Sequence, residues 1–552
     1  MSGVPSHSAG LTLHLGEHLP RLERRLGAWE AAGFAARLWG KDPTLWGLDP
    51  QATEIADRLG WLQLPETARR LAPEWSTFAA EIRAEGFHQV VLLGMGGSSL
   101  APEVFQRTFG HTAGSPELIV LDSTHPEAVR AVERRLDLPR TLFLVASKSG
   151  TTVEPLALFR YFWHRACQEG RRFAAITDPG TPLEQMAAEH GFRRVLLAPS
   201  DVGGRYSALS DFGLAPAALI GLDLSKLIAS SRAMAEACRP DVPAAQNPGL
   251  VLGAALGELA RAGRDKLTFF TSPSLESIPD WIEQLVAESS GKDGRGIVPV
   301  AAEPEGFPEA YGPDRVFVWL GLEREAEPSL VEALARAGQP VLRLRLAGLE
   351  QLGGEFFRWE FATAAACAVL GVHPFNQPDV QLAKELARRA MQKGGVADSP
   401  EVLAADDIQR LRPALRELLE PASPPRYLAL QAYLAPSRET TQTLNRIRGL
   451  LRDRLRVATT AGYGPRFLHS TGQLHKGGPD TGLFLQLVDE PAEDLEVPGS
   501  NYTFGQLLRA QADGDAAALR RRGRPLVRVN VGPDAAAGLR RLIELLAADP
   551  RR

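Results

Sequence analysis

The chain has 552 residues, 44% hydrophobic and 23% charged, which is the composition of an ordinary globular protein large enough for two or three domains. A net charge of -4 disfavours nucleic acid and anionic membranes as main partners, because both require a basic surface. The three cysteines, Cys167, Cys238 and Cys367, are scattered along the chain, which disfavours a disulfide framework and a metal cluster.

The first residues lack a basic segment leading into an apolar run, and no stretch contains eighteen uninterrupted apolar residues. We therefore expect a soluble, cytoplasmic protein without a membrane partner.

Hydrophobic spacing divides the chain into four parts. Residues 1–87 form a helical lead-in, with apolar positions recurring every three and four residues and no strand-like alternation. Short apolar runs at 90–93, 118–122, 141–146 and 173–177, and again at 266–272, 315–320 and 340–345, are typical of strands buried on both faces. Helical segments separate these runs, which predicts an α/β fold with two parallel-sheet domains, at 88–245 and 246–390. Residues 391–552 are predicted to form a helical or α+β extension with strands near 483–488 and 525–530.

Two turns that follow predicted strands have the composition of anion-binding sites. Residues 94–99 (Gly-Met-Gly-Gly-Ser-Ser) include Gly97 and Ser98, and glycines there let backbone N–H groups approach an anion. Residues 147–152 (Ser-Lys-Ser-Gly-Thr-Thr) place four hydroxyls and a glycine before a helix, which suits a phosphate monoester without a metal. One hydroxyl suffices for a helix cap, so four favour phosphate. The candidate phosphate ligands of this second turn are Ser147, Lys148, Ser149, Thr151 and Thr152.

These two turns together resemble the sugar isomerase (SIS) fold, and the wider set of motifs resembles the glucose-6-phosphate isomerase family. The other matching segments are 203–207 (Gly-Gly-Arg-Tyr-Ser), 284–292 (Gln-Leu-Val-Ala-Glu-Ser-Ser-Gly-Lys), 374–384 (Pro-Phe-Asn-Gln-Pro-Asp-Val-Gln-Leu-Ala-Lys) and 464–474. Residues 39–46 and 464–474 are most similar to the isomerase half of fused transaldolase/glucose-6-phosphate isomerase proteins. No room remains for a transaldolase barrel, which needs roughly 250 residues.

The resemblance implies two SIS-type domains and an isomerase of glucose 6-phosphate and fructose 6-phosphate that needs no metal or redox cofactor. It also implies a homodimer, because the family takes its histidine from the neighbouring chain. Glu288, at the end of a predicted helix over 278–290, matches the family's shuttling base, and Gln284 lies one turn earlier on the same face. Arg205 matches the group that stabilises the enediolate, and Gly204 and Gln377 match substrate-binding positions.

Ring opening in the family uses a histidine and a lysine. Lys384 matches the lysine, just over a turn inside a helix that Pro378 would start. His469 matches the histidine, but its segment follows the glutamate and lysine motifs here, whereas the family has it between them. His475 and His373 therefore stay open as alternatives.

Two other functions fit the same motifs. An isomerase of wider range would also accept mannose 6-phosphate. A non-catalytic SIS-type sensor would bind the sugar phosphate without a base, and the joint presence of Glu288, Gln284, Arg205 and Lys384 speaks against it. A dehydrogenase is disfavoured because the dinucleotide fingerprint is lacking.

Overall fold

A computed structural model describes residues 9–48, 53–393 and 399–548. It contains three five-stranded sheets, in which every pairing between neighbouring strands is parallel except one. The predicted α/β fold with parallel sheets is confirmed, and the third sheet is additional.

The N-terminal part is helical as predicted, with one exception. Its elements are β1 (Leu11–His14), α1 (Leu19–Ala31), α2 (Phe34–Trp39) and α3 (Leu64–Ala84). The apolar stripe Leu22, Leu26 and Trp29 of α1 is buried against the core. The expectation of no strand here was wrong, because β1 pairs antiparallel with an edge of the second sheet. Four residues are too few to show a clear period, and pairing with a distant strand decides their conformation.

The first sheet has the strand order β3-β2-β4-β5-β6. Its elements are β2 (Gln89–Leu93), α4 (Leu100–Phe109), β3 (Glu117–Leu121), α5 (Pro126–Glu133), β4 (Thr141–Ala146), α6 (Val153–Arg165), β5 (Phe173–Thr177), α7 (Pro182–Glu189) and β6 (Arg194–Leu197). Strand β4 is buried along its whole length, which explains its continuous apolar sequence.

Three helices lead to the second sheet: α8 (Asp211–Leu219), α9 (Leu224–Ala237) and α10 (Pro248–Arg261). That sheet has the order β1-β10-β9-β7-β8. Its further elements are β7 (Lys266–Thr271), α11 (Ile278–Ser290), β8 (Val298–Val300), β9 (Arg315–Leu322), α12 (Ser329–Arg336), β10 (Val341–Leu346) and α13 (Leu352–Leu370). Helix α13 is buried on almost every face and lies against α9, α10 and α11, so it forms the centre of the largest apolar cluster.

The C-terminal part is a third α/β unit with an all-parallel sheet in the order β11-β15-β14-β12-β13. It follows α14 (Asp379–Lys393) and consists of β11 (Val402–Ala404), α15 (Ile408–Leu419), β12 (Tyr427–Tyr433), α16 (Arg438–Leu455), β13 (Ala458–Tyr463), α17 (Gly472–Gly477), β14 (Gly482–Val488), α18 (Phe504–Arg521), β15 (Leu526–Asn530) and α19 (Ala535–Ala547). The predicted helical or α+β extension is corrected accordingly. Strands β12 and β13 were missed because alanines, a glutamine and a glycine interrupt their β-forming residues and weaken the strand signal.

Packing between units brings their loops together. An apolar cluster joins Ala287, Val298 and Val300 of the second unit to Tyr427, Leu474 and Phe484 of the third. Helix α14 packs along α18. Over the described ranges 9–48, 53–393 and 399–548, no helix combines the length and apolar character needed to cross a membrane.

Candidate active site

The hydroxyl-rich turn between β4 and α6 is compact, with its hydroxyls in contact with one another. The Ser147 hydroxyl donates to Thr152 Oγ1 at 3.1 Å, and the hydroxyls of Ser149 and Thr151 lie 3.0 Å apart. Gly150 adopts φ +65°, and a Cβ there would lie 2.8 Å from the Leu183 nitrogen, so only glycine fits. The turn borders a cavity of about 460 Å³.

The side chain of Lys148, in the same turn, is directed toward Asp178. Its ammonium group pairs with Asp178 at 2.5 Å and lies within 3.4 Å of the Pro199 carbonyl. It therefore stands apart from the hydroxyls that border the cavity.

In the glycine turn after β2, the lack of side chains lets other parts of the chain approach the backbone closely. A Cβ on Gly97 would lie 2.1 Å from the carbonyl oxygen of Gly204, so the two glycine turns pack directly on each other. A Cβ on Gly96 would lie 2.8 Å from both the Gln284 side-chain nitrogen and the His469 carbonyl oxygen. Ser98, in the same turn, is buried. These glycines leave the space in which the other site residues meet.

Helix α11 carries Glu288 in its last turn, as predicted. The side-chain amide of Gln284, one turn earlier, donates to Glu288 Oε2 at 3.1 Å and to the main-chain carbonyl of His469 at 2.7 Å. Arg205 Nε lies 3.4 Å from Glu288 Oε2. Only 13% of the Glu288 side chain is exposed, so this carboxylate faces a nearly dry environment with one cation beside it.

Arg205 is held from the far side by the segment that precedes α14. Its guanidinium donates to the carbonyls of Phe375 (2.9 Å) and Asn376 (3.2 Å) and to Gln377 Oε1 (2.6 Å). Because the planar fork is fixed at several points, the cation has little freedom to move toward or away from Glu288. The structure thus brings the predicted Arg205, Glu288, Gln284 and Gln377 into one cluster.

Lys384 and His469 belong to a second group, on the cavity. Both border it together with Ser149, Thr151, Thr152 and Glu154. Lys384 is on the exposed side of α14, as its place in the helix predicts. Glu288 and Arg205 lie outside this lining, and the main chain of His469 connects the two groups through Gln284.

The ring of His469 is oriented by a carboxylate. Its Nε2 lies 2.9 Å from Glu154 Oε1, and Gln511 of α18 donates to the same oxygen at 2.6 Å. Burial would raise the pKa of the Glu154 carboxyl, but His469 and, to a lesser degree, Lys384 outweigh it and lower that pKa. A charged carboxylate behind an imidazole is suited to support it as an acid or base.

The two alternative histidines occupy structural positions. His475 is buried among Tyr427, Phe467 and Phe484, where burial and the cation of Lys476 lower its pKa well below the ordinary value. The buried ring of His373 closes a turn: its Nδ1 accepts the N–H groups of the second and third residues after it, and its Nε2 lies 2.9 Å from a carbonyl of the N-terminal part. Of the three candidates, His469 alone borders the cavity.

Local sequence patterns indicated no role for Glu154, Gln511 or Lys292. Glu154 follows the hydroxyl-rich turn by two residues, but an acidic residue in a first helical turn is ordinarily explained by the helix dipole. Gln511 had no local signal, since its contact spans 357 residues. Lys292 is part of the glutamate motif, and its buried ammonium group donates to the carbonyls of Ser289 (2.7 Å) and His373 (2.5 Å). It ties the end of α11 to the segment that holds Arg205.

The chain is similar to a known protein family and to several solved structures. The family model described as phosphoglucose isomerase matches residues 70–298. A glucose-6-phosphate isomerase of Rubrobacter xylanophilus is 30% identical over 399 residues, covering 62% of this chain and 91% of that protein. A crystal structure of a hypothetical protein from Thermus thermophilus superposes with a TM-score of 0.59 at 26% identity, over 69% of this chain and 99% of that one. A glucose-6-phosphate isomerase structure from Chlamydia trachomatis has a TM-score of 0.51 at 20% identity, over 65% and 78% of the two chains, and shows the same fold.

The contact between the two glycine turns predicts an asymmetric response to alanine. Gly97→Ala should lower the free energy of unfolding by about 1–3 kcal/mol, because the new Cβ would overlap the Gly204 backbone. Gly204→Ala is the matched control, since a Cβ there meets nothing within 4 Å. Denaturant unfolding of both variants measures the difference, and equal stability would contradict the packing described.

Lys292 predicts a pH dependence of stability. Burial, reinforced by the Arg205 cation, lowers the pKa of Lys292 to about 7, whereas the pKa of an unfolded lysine is about 10.4. Between these two pH values Lys292 is protonated in the unfolded chain but mostly neutral in the folded one. The destabilisation caused by burying its charge is therefore full below pH 7 and is lost toward pH 10. Relative to Lys292→Met, the wild-type unfolding constant should fall with rising pH across that window, by at most about tenfold per pH unit.

The measurement is urea unfolding of both chains at several pH values from 7 to 10. Lys226→Met, at an exposed site on α9, should show no such trend relative to wild type. A difference between wild type and Lys292→Met that is constant with pH would refute the assignment.

Proposed function

Because this chain belongs to the phosphoglucose isomerase family, we propose that it interconverts glucose 6-phosphate and fructose 6-phosphate. It is an aldose–ketose isomerase, and a hexose phosphate is its substrate. The observation that carries the proposal is the cluster at the end of α11, where Gln284 and Arg205 hold the Glu288 carboxylate in a nearly dry site. Binding alone would require no such base.

Substrate binding begins with the phosphate in this proposal. The hydroxyls of Ser147, Ser149, Thr151 and Thr152 and the N–H groups at the start of α6 supply donors for its oxygens. Lys148, paired with Asp178, contributes positive charge from a distance rather than a direct contact. The sugar then extends from the turn toward His469 and Glu288.

Ring opening is assigned to His469 and Lys384. Opening a cyclic hexose requires a proton on the ring oxygen and removal of the proton of the anomeric hydroxyl. The Glu154 carboxylate orients the His469 ring at the cavity, and the imidazole is proposed to donate the first proton. Lys384, on the same cavity, is placed to assist at the second position.

Isomerisation is assigned to Glu288. The carboxylate removes the proton on C2 of the open aldose, and the electrons of that C–H bond form the C1–C2 double bond of an enediolate. After the hydroxyl proton on the C2 oxygen has passed to the negative oxygen on C1, the carboxyl group returns its proton to C1 and the oxygen on C2 becomes the carbonyl, which gives the ketose and frees the carboxylate again. Arg205 is placed to stabilise the negative oxygen, because its fixed guanidinium lies beside the base.

The assembly and location of the protein stay predictions. The family resemblance favours a homodimer and the cytoplasm. The alternative of a non-catalytic sensor is disfavoured by the oriented His469–Glu154 pair, because an acid–base pair adds nothing to phosphate binding.

Replacing the base should abolish turnover while binding persists. Glu288→Gln keeps the shape and hydrogen bonds of the side chain but cannot take a proton, so kcat should fall by about 10²–10⁴-fold with KM nearly unchanged. A coupled assay on fructose 6-phosphate measures this. Glu276→Gln, just before the same helix in an exposed pair with Arg107, should keep full activity. Near-full activity of Glu288→Gln would refute its role.

Removing the phosphate hydroxyls should weaken substrate binding. Ser147→Ala combined with Thr152→Ala deletes two donors together, so neither hydroxyl is left without its partner. KM should rise at least about tenfold, because hydrogen bonds to a charged group contribute about 1.5–3 kcal/mol each. Ser76→Ala on the exposed face of α3 is the control. An unchanged KM in the double variant would exclude the turn as the phosphate site.

A further inference from the structure

We propose that the third α/β unit completes the active site of its own chain, with Arg466 as the positioning residue that fixes His469 there. The inference rests on the proposed function. It concerns which chain supplies the ring-opening histidine and what holds that histidine in place. If it is correct, each chain carries a whole site whether or not it assembles with a second copy.

The path of the chain supplies the first argument. After β13 of the third sheet, a short 3-10 helix (Arg466–His469) contacts the glycine turn of the first unit, and α17 then packs against α11 and α14. His469 contacts Glu154 of α6 through its ring and Gln284 of α11 through its carbonyl. One residue of the third unit is therefore bound to catalytic elements of both others.

Arg466, one turn before His469, supplies the second argument. Its guanidinium forms ion pairs with Glu103 of α4 and with Asp122 at the end of β3, the latter at 3.2 Å. Burial would raise the pKa of Glu103, but the Arg466 cation outweighs it and lowers that pKa. Ser99 of the glycine turn also donates to Asp122, at 3.3 Å. The arginine thus joins the histidine segment to the first unit beside the glycine turn.

Gln473 fixes the other end of the segment. Its completely buried side chain donates to the Gly291 carbonyl at 2.9 Å and to Asp379 Oδ2 at 2.6 Å, and accepts the Asp379 N–H at 2.9 Å. Gly291 follows the helix of Glu288, and Asp379 begins the helix of Lys384. The histidine segment is therefore held against both helices that carry the other proposed catalytic groups.

Helix α18 of the third unit packs closely against α14. A Cβ on Gly514 of α18 would lie 2.7 Å from the Ala387 nitrogen of α14, so the two helix backbones are in direct contact. The same helix places Gln511 on Glu154. Docking of this unit buries polar groups that pair with one another across it, which makes separation of the units costly.

Complementation decides whether the site is completed within one chain. Glu288→Gln and His469→Ala chains with different tags are co-expressed and purified over both tags in turn, and activity on fructose 6-phosphate is measured. We expect either no doubly tagged species or a doubly tagged species with no more activity than the separate variants. A mixed species with restored activity would overturn the proposal, because one site would then combine Glu288 and His469 from different chains.

The role of Arg466 is tested with two substitutions, for which both kcat and the binding of a substrate analogue are measured. Arg466→Met should lower kcat about 10–100-fold, while a phosphorylated sugar-acid analogue still binds one per chain with little change in affinity, because the phosphate turn is untouched. Arg466→Lys should restore part of the rate. Arg540→Met, which breaks an exposed pair with Glu439 in the same unit, should leave kcat and binding unchanged.

The outcomes separate this inference from the proposed function. Loss of analogue binding in proportion to loss of rate would make Arg466 a folding determinant only and overturn its positioning role. If Arg466→Met does not fold, Arg466→Lys is tested in the same way, by comparing its kcat with the number of analogue-binding sites per chain. Absence of isomerase activity in the wild-type chain would instead refute the proposed function itself.

Discussion

The side-chain amide of Gln284 is the interaction on which the site depends. Its two hydrogens go to the Glu288 carboxylate and to the His469 carbonyl, so one group fixes the proposed base and the main chain of the proposed ring-opening residue. The spacing between the Glu288 carboxylate and the His469 main chain is therefore set by one helical turn and one side-chain amide. Gly96 must be glycine for this to occur, because a Cβ would overlap both partners of that hydrogen bond. Much of the surrounding structure supports this single contact.

The buried charged groups around that contact have fixed hydrogen-bonding partners. Arg205 is satisfied by the carbonyls before α14 and by Gln377, Glu154 by His469 and Gln511, and Lys292 by two carbonyls. An unpaired charge in such a dry region would cost several kcal/mol, so each pairing also prevents alternative positions of the loops. The same interactions that orient the proposed catalytic groups hold the units together. The proposed site and the packing between units therefore depend on the same residues.

The histidine illustrates where prediction from local pattern ends. The motif around His469 favoured this histidine, but His475 and His373 stayed open because the segment lies in an unexpected order along the chain. The structure separates them by environment: an aromatic core for His475, a turn for His373, and the cavity for His469. The third parallel sheet, which carries that segment, was not predicted, since β12 and β13 contain residues compatible with a helix or a loop. The contact of Gln511 with Glu154 lies beyond any local pattern for the same reason.

The sequence by itself determined what short-range chemistry dictates: the buried strands of the first two sheets, the hydroxyl-rich turn, the helix that ends in Glu288 and the helix that begins at Asp379. Each depends on periodicity, on caps or on glycine, and these act over a few residues. Tertiary structure alone decided that β1 pairs with β10, that Lys148 faces Asp178, and that Arg466 and Gln473 hold His469 between the other units. These contacts join residues that are separated by 30 positions, as for Lys148 and Asp178, or by many more, and they form only once those segments are packed together.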